Sequence, residues 1–239
     1  MRFLAPGRLG LAAALLLAAL AGPAVAEAPQ ARRPDARPDA AARNTPGDFD
    51  FYILALSWSP TWCEDQGRRA EREAQCALAR PFAFVVHGLW PQNDRGAPPR
   101  NCQRPAPYVP NAVISGMLDI MPSRGLVLHQ WRAHGTCSGL EARSFFQLAR
   151  AARAKVTIPE QFHRLRDYLI TSPGEVAAAF QAANPGLRAD MMSVQCDNRR
   201  LTEVRICMSR DLDFRPCPDV TRRACRLPKV VMPPLRGGA

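Results

Sequence analysis

The chain of 239 residues carries only four histidines, at positions 87, 129, 134 and 163. Three of them fall in two short stretches rich in glycine and tryptophan. The first is Phe84-Val85-Val86-His87-Gly88-Leu89-Trp90-Pro91. The second is Leu128-His129-Gln130-Trp131-Arg132-Ala133-His134-Gly135-Thr136-Cys137. Imidazole titrates near working pH, with an unperturbed pKa of about 6.5, so it can both take and give a proton. Two such groups can cleave RNA. One removes the proton of a ribose 2′-OH as that oxygen attacks the neighbouring phosphorus, and the other protonates the departing 5′-oxygen. A third, cationic imidazole can offset the charge that builds on the phosphoryl oxygens. The second stretch is not the H-E-x-x-H of zinc proteases, because its histidines stand at i,i+5 and the glutamate is missing. His163, in Gln161-Phe162-His163-Arg164, has no comparable setting and reads as a surface residue.

Rigid elements must hold these groups. The apolar run before His87 predicts a strand that ends there, with Gly88 and Pro91 as breakers, so that His87 stands at its rim. The second stretch predicts a helix with Gln130 and His134 on one face and His129 and Ala133 beside them. Gly135 is then its C′ stop, and Cys137 ties the end down. Elsewhere, 49–58 and 82–87 read as strands, and 68–80, 109–121 and 141–155 as helices. In the last of these Phe145, Leu148, Ala149 and Ala152 share a face. Ser172-Pro173-Gly174-Glu175 opens a capped helix that runs to Asn184-Pro185-Gly186. Residues 192–195 and 201–208 form a hairpin through 197–200, and a short strand lies near Val230. Strands and helices come in clumps, which favours an α+β fold.

Residues 1–26 have the pattern of a cleaved secretory leader: Arg2 and Arg8, an apolar run from Leu9 to Leu20, then Ala24-Val25-Ala26. The run is too short for a bilayer span, which needs roughly 20 residues. Residues 27–47, rich in Ala, Pro, Arg and Asp, read as a disordered or extended tail. A single domain is expected over 48–239. Lysine and arginine total 32 against 21 acids, a formal charge of +11. All the cations but Lys155 and Lys229 are arginine. Arginine forks onto phosphate, so the charge suits a polyanionic partner. Eight cysteines follow the leader, at 63, 76, 102, 137, 196, 207, 217 and 225, with no C-x-x-C among them. In an exported chain they read as four disulfides rather than a zinc site.

The two histidine stretches resemble the paired active-site signatures of the ribonuclease T2 family. His87 to Pro91 matches its H-G-L-W-P without change. The second matches H-E-W-x-K-H-G-T-C at six of eight defined positions, with Gln130 in place of the glutamate and Ala133 in place of the lysine. The likeness runs from about Phe49, through Ser57-Trp58-Ser59-Pro60-Thr61-Trp62-Cys63, to the C-terminal cysteines. It implies an α+β fold with a central antiparallel sheet flanked by helices and stapled by disulfides. It also implies an endoribonuclease of low base specificity that makes 2′,3′-cyclic phosphates and then 3′-phosphates, with no metal and no cofactor.

By the same resemblance His87 is the general acid, His134 the general base and His129 the phosphate-binding imidazole, although acid and base could be exchanged. Gln130 occupies the fourth catalytic position. Trp90 resembles the base-stacking aromatic, Gln92 a base contact, and Trp131 joins the substrate-binding set. The implied pairing is Cys63–Cys76, Cys102–Cys137, Cys196–Cys225 and Cys207–Cys217. Gln130 carries no charge and Ala133 no cation, and losing one electrostatic contact of that kind can cost about 10²–10³ in rate. A working but slower monomeric enzyme acting on RNA is expected, periplasmic or secreted. The alternatives are a silent, cationic RNA-binding or membrane-active protein on the same fold, or a disulfide-stapled structural or inhibitory protein. The histidine trio discriminates against both.

Overall fold

The computed structural model describes residues 44–77 and 81–236. The leader and most of the tail lie outside them. The last residues of the expected tail, 44–47, lie against the domain. Asn44 accepts a bond from the Arg100 amide, and Gly47 donates to the Cys137 carbonyl, so this stretch is pinned beside the second histidine segment.

Four strands form an antiparallel sheet: β1 (Phe51–Trp58), β2 (Phe84–Gln92), β4 (Met192–Cys196) and β5 (Leu201–Met208), in the order β2-β1-β5-β4. A smaller sheet pairs β3 (Leu169–Thr171) with β6 (Val230–Met232). Alternation along β1 divides its side chains between two faces. Tyr52, Leu54, Leu56 and Trp58 enter the main core, whereas Phe51, Ile53 and Ala55 belong to a second cluster with Cys207, Cys217 and Val220.

Helices cover the main core face. α3 (Arg124–Ala133) contributes Val127 and Trp131, α4 (Ala142–Ala154) Phe145, Phe146, Ala149 and Ala152, and α5 (Pro173–Ala183) Val176 and Phe180. Each large apolar side chain buried this way contributes about 1.5–3 kcal/mol. The expected α+β architecture is therefore the one observed. α5 starts with the predicted capping box, Ser172 accepting from the Glu175 amide and Glu175 from the Ser172 amide.

Three elements depart from expectation. The helix foreseen over 68–80 is replaced by α1 (Ser59–Gln66), which Gly67 ends at φ +53, followed by 3₁₀ turns at Gly67–Arg72 and Ala74–Cys76. The Cys63–Cys76 bridge closes this short loop, and a continued helix would carry the two cysteines apart. The helix expected over 109–121 shrinks to α2 (Asn111–Ser115). The strand ahead of His87 continues through Gln92, because Gly88 and Pro91 keep their places opposite Ala55 and Tyr52 of β1. A four-residue helix, α6 (Pro218–Thr221), follows Cys217.

All four implied disulfides are formed: Cys63–Cys76, Cys102–Cys137, Cys196–Cys225 and Cys207–Cys217. Among the described residues no helix is long and apolar enough to cross a membrane.

Candidate active site

A break in strand register sets the first histidine. Between β1 and β2, Leu56 pairs with Val86 and Ala55 with Gly88, which leaves His87 as the extra residue of a bulge. In a regular strand, residues three apart point to opposite faces. The bulge removes that restriction and is a frequent device beside functional sites. Phe84, Val86 and Leu89 thus remain in the main core, while His87 and Trp90 both line a cleft on the other face.

α3 delivers the other two imidazoles. Ser123 caps its start by accepting from the Leu126 amide. His129 lies in the helix and His134 just past its last residue, where the chain tightens into a 3₁₀ turn, Gly135–Cys137. Gly135 serves here by size rather than by a left-handed backbone. A Cβ would lie 2.4 Å from Trp131 and 2.9 Å from Phe145. The Cys102–Cys137 bridge holds the far end of this turn.

The cleft, of about 400 Å³, is lined by His87, His129, His134, Trp90, Gln92 and Arg205, with Phe51 and Ile53 as its apolar floor. His87 and His134 both touch the Trp90 indole. His87 meets it edge-on at 5.2 Å between ring centroids, and His134 stacks on it at 5.3 Å. His163 stays away from the cleft, as expected.

The environments of the three imidazoles differ. His134 is 8 % exposed, and burial pushes its pKa down to about 3, aided by the charges of Arg100, His129 and His87. Among the described residues its buried Nδ1 has no hydrogen-bond partner. His129 is lowered by burial first, then by Arg132, His87 and Arg100. His87 is half-buried, and its Nδ1 lies 2.6 Å from Oε1 of Glu203 on β5.

Glu203 was not anticipated. Register places it opposite Ser57, on the cleft side of the sheet. It is 5 % exposed, and its second oxygen accepts from Arg205 Nε at 2.6 Å. Burial raises its pKa, but the bond from His87 and the charges of Arg205 and His87 outweigh that, so it stays below the usual glutamate value. One sequence signal pointed to it. In Leu201-Thr202-Glu203-Val204-Arg205-Ile206-Cys207 two opposite charges sit at i,i+2 within an apolar strand, so both face the same side.

The sequence profile of the Ribonuclease T2 family matches residues 49–217. The chain belongs to the ribonuclease T2 family. It is 35 % identical over 183 residues to a ribonuclease of Aeromonas hydrophila, covering 74 % of this chain and 80 % of that one. Ribonuclease I of Escherichia coli strain K12 is 26 % identical over 206 residues, with 69 % and 77 % of the two chains covered. Among solved structures, RNase NT in complex with 5′-AMP matches with a TM-score of 0.62 and 25 % identity, over 78 % of this chain and 99 % of that one.

Two positions of this T2 ribonuclease correct the sequence reading. Gln130 is 1 % exposed and spends its Oε1 on the Trp90 indole N–H at 2.8 Å, so it fixes Trp90 rather than reaching a substrate. Trp131 is a core residue, 2 % exposed, packed on Phe145 and Phe146 and donating to the Pro107 carbonyl. It turns away from the cleft because it shares the helix stripe of Val127, four residues earlier.

Proposed function

We propose that this T2 ribonuclease is an exported endonuclease that cuts RNA by transphosphorylation with imidazole acid–base catalysis. The observation that carries the reading is the convergence of three histidines from two elements in one cleft, each in a different electrostatic setting. His134, held neutral by burial, takes the 2′-OH proton. The 2′-oxygen attacks phosphorus, and the bond to the 5′-oxygen breaks. His87, which has Glu203 as counter-ion when protonated, gives its proton to that leaving oxygen. His129 faces the non-bridging oxygens. The products are a 2′,3′-cyclic phosphate and a free 5′-OH.

Opening the ring to a 3′-phosphate reverses the roles. His87 takes a proton from water and His134 returns one to the 2′-oxygen. Every proton in both steps is carried by imidazole, so the scheme closes without a metal. Trp90 lines the cleft, and stacking on an aromatic ring accepts any base, which supports low base specificity. The leader pattern and four disulfides support export.

The test is incubation of RNA with the pure protein in EDTA, followed by end-group analysis. Cyclic phosphate ends are expected, and His87→Ala or His134→Ala should each lower the rate by about 10²–10⁴. RNA bound but uncut by the parent, or cut equally well by His87→Ala, rejects the reading.

A further inference from the structure

The geometry points to a further pair of residues in this reaction, resting on the proposed function. We infer that Arg205 is a phosphate-contacting catalytic cation and that Glu203 is the positioning residue of His87.

The first support is placement. Arg205 and Glu203 sit opposite Ala55 and Ser57, so both project from the sheet face that carries the cleft. Arg205 keeps 31 % of its side chain exposed, and its guanidinium carbon lies 5.2 Å from the centroid of the Trp90 ring, the ring on which His134 stacks. Among the described residues only its Nε is engaged. A guanidinium has five N–H donors, so the terminal nitrogens retain four for an anion. Their planar fork matches two oxygens of one phosphate.

The second support is charge. Of α3 only His129 lines the cleft, for Gln130 is spent on Trp90, Ala133 is a buried methyl group and Arg132 lines a separate hollow. Three arginines line the cleft, Arg100, Arg205 and Arg223, and Arg205 is the one that adjoins both Trp90 and Glu203, the partner of His87. Glu203 then has a clear task. A carboxylate at 2.6 Å from Nδ1 holds the His87 proton on that nitrogen in the neutral ring and turns Nε2 toward the cleft. Alone, such a buried anion would repel a polyanionic substrate. Arg205 offsets it, so His87 is oriented without adding net negative charge to the cleft.

The experiment uses the full disulfide-bonded protein and a dinucleoside monophosphate. Arg205→Ala should lower kcat by about 10²–10³, and added methylguanidine should restore part of it, which a purely structural ion pair would not allow. Arg205→Lys, which keeps charge without the fork, should fall between Ala and the parent and guards against misfolding of the Ala variant. Glu203→Gln, by loosening the placement of His87, should lower kcat by up to about 10², with KM little changed. ¹⁵N spectra of labelled histidine should then show less of the Nδ1–H form of neutral His87. A rate within threefold of the parent for Arg205→Ala overturns its assignment, as does folded Arg205→Ala that methylguanidine leaves silent. An unchanged rate in Glu203→Gln overturns the positioning role. If the parent itself cuts nothing, the proposed function falls while this inference is still read from binding. Arg205→Ala must then weaken affinity for an uncleavable 2′-deoxy dinucleotide at least tenfold, and equal affinity sinks it.

Discussion

Protonation of His134 is the event most strongly opposed by the fold. Its pKa is about 3 when folded against about 6.5 for a free imidazole. Between those values the unfolded chain binds a proton that the folded chain does not. Stability from this group is therefore complete above about pH 6.5 and is lost as pH falls toward 3. Going from pH 7.5 to 4.5 should cost the parent on the order of 2 kcal/mol more than His134→Gln, read from urea unfolding. Equal losses would mean that His134 is not held neutral by burial. Glu203 contributes in a separate window. Its lowered pKa gives stability that fades only below about pH 4.3. At this scale the sequence was informative about residue type and poor about surroundings. Three histidines announced themselves by scarcity and clustering. Glu203, 116 residues from His87, did so only through the charge alternation of its strand. Gln130 and Trp131 were misread because a motif lists neighbours in sequence, whereas burial decides which of them face substrate.

The bulge in β2 turns a sequence spacing into a site. His87 and Trp90 share a face only because the strand takes one residue more than its partner, and Gly88 stands next to the extra residue. A Cβ at Gly88 would lie 2.2 Å from Trp90 Nε1 and 2.3 Å from Gln130 Oε1. Hence Gly88→Ala must break or displace the hydrogen bond that fixes the indole. A loss of about 1–3 kcal/mol is expected from the overpacking, together with a drop in kcat/KM measured well below the melting temperature. Trimming the obstruction should relieve part of it. Gly88→Ala with Gln130→Ala should be destabilised by less than the two single changes together. Strict additivity would show that the two positions do not meet. The amphipathic stripe of α4 and the capping box of α5 could be read directly because they are local in the chain. The continuation of β2 could not, since only pairing with β1 tells a strand to pass through glycine and proline.

At the scale of the molecule, electrostatics and covalent staples act together. An even cysteine count foretold four bridges, but spacing alone could not pair them; the family resemblance implied the pairing that the structure shows. The excess of 32 cations over 21 acids acts at longer range. Arg100 lines the cleft beside the histidines, and Arg132 adds its field at His129. That field disfavours protonated imidazole and is offset by a bound phosphate, so substrate binding itself should raise the proton affinity of His129 and His134. A polymer that also runs across the surrounding arginines releases counterions along its length. Each neutralised phosphate of a single strand adds about −0.7 to the slope of log affinity against log salt. The slope of log kcat/KM on long RNA should therefore be steeper than about −1.4, the value for two engaged phosphates. On a dinucleoside monophosphate, with one phosphate, it should fall to about half of that or less. Equal slopes for the two substrates would confine the electrostatic work to the three imidazoles and Arg205, and would leave the arginine-rich surface with no part in capturing RNA.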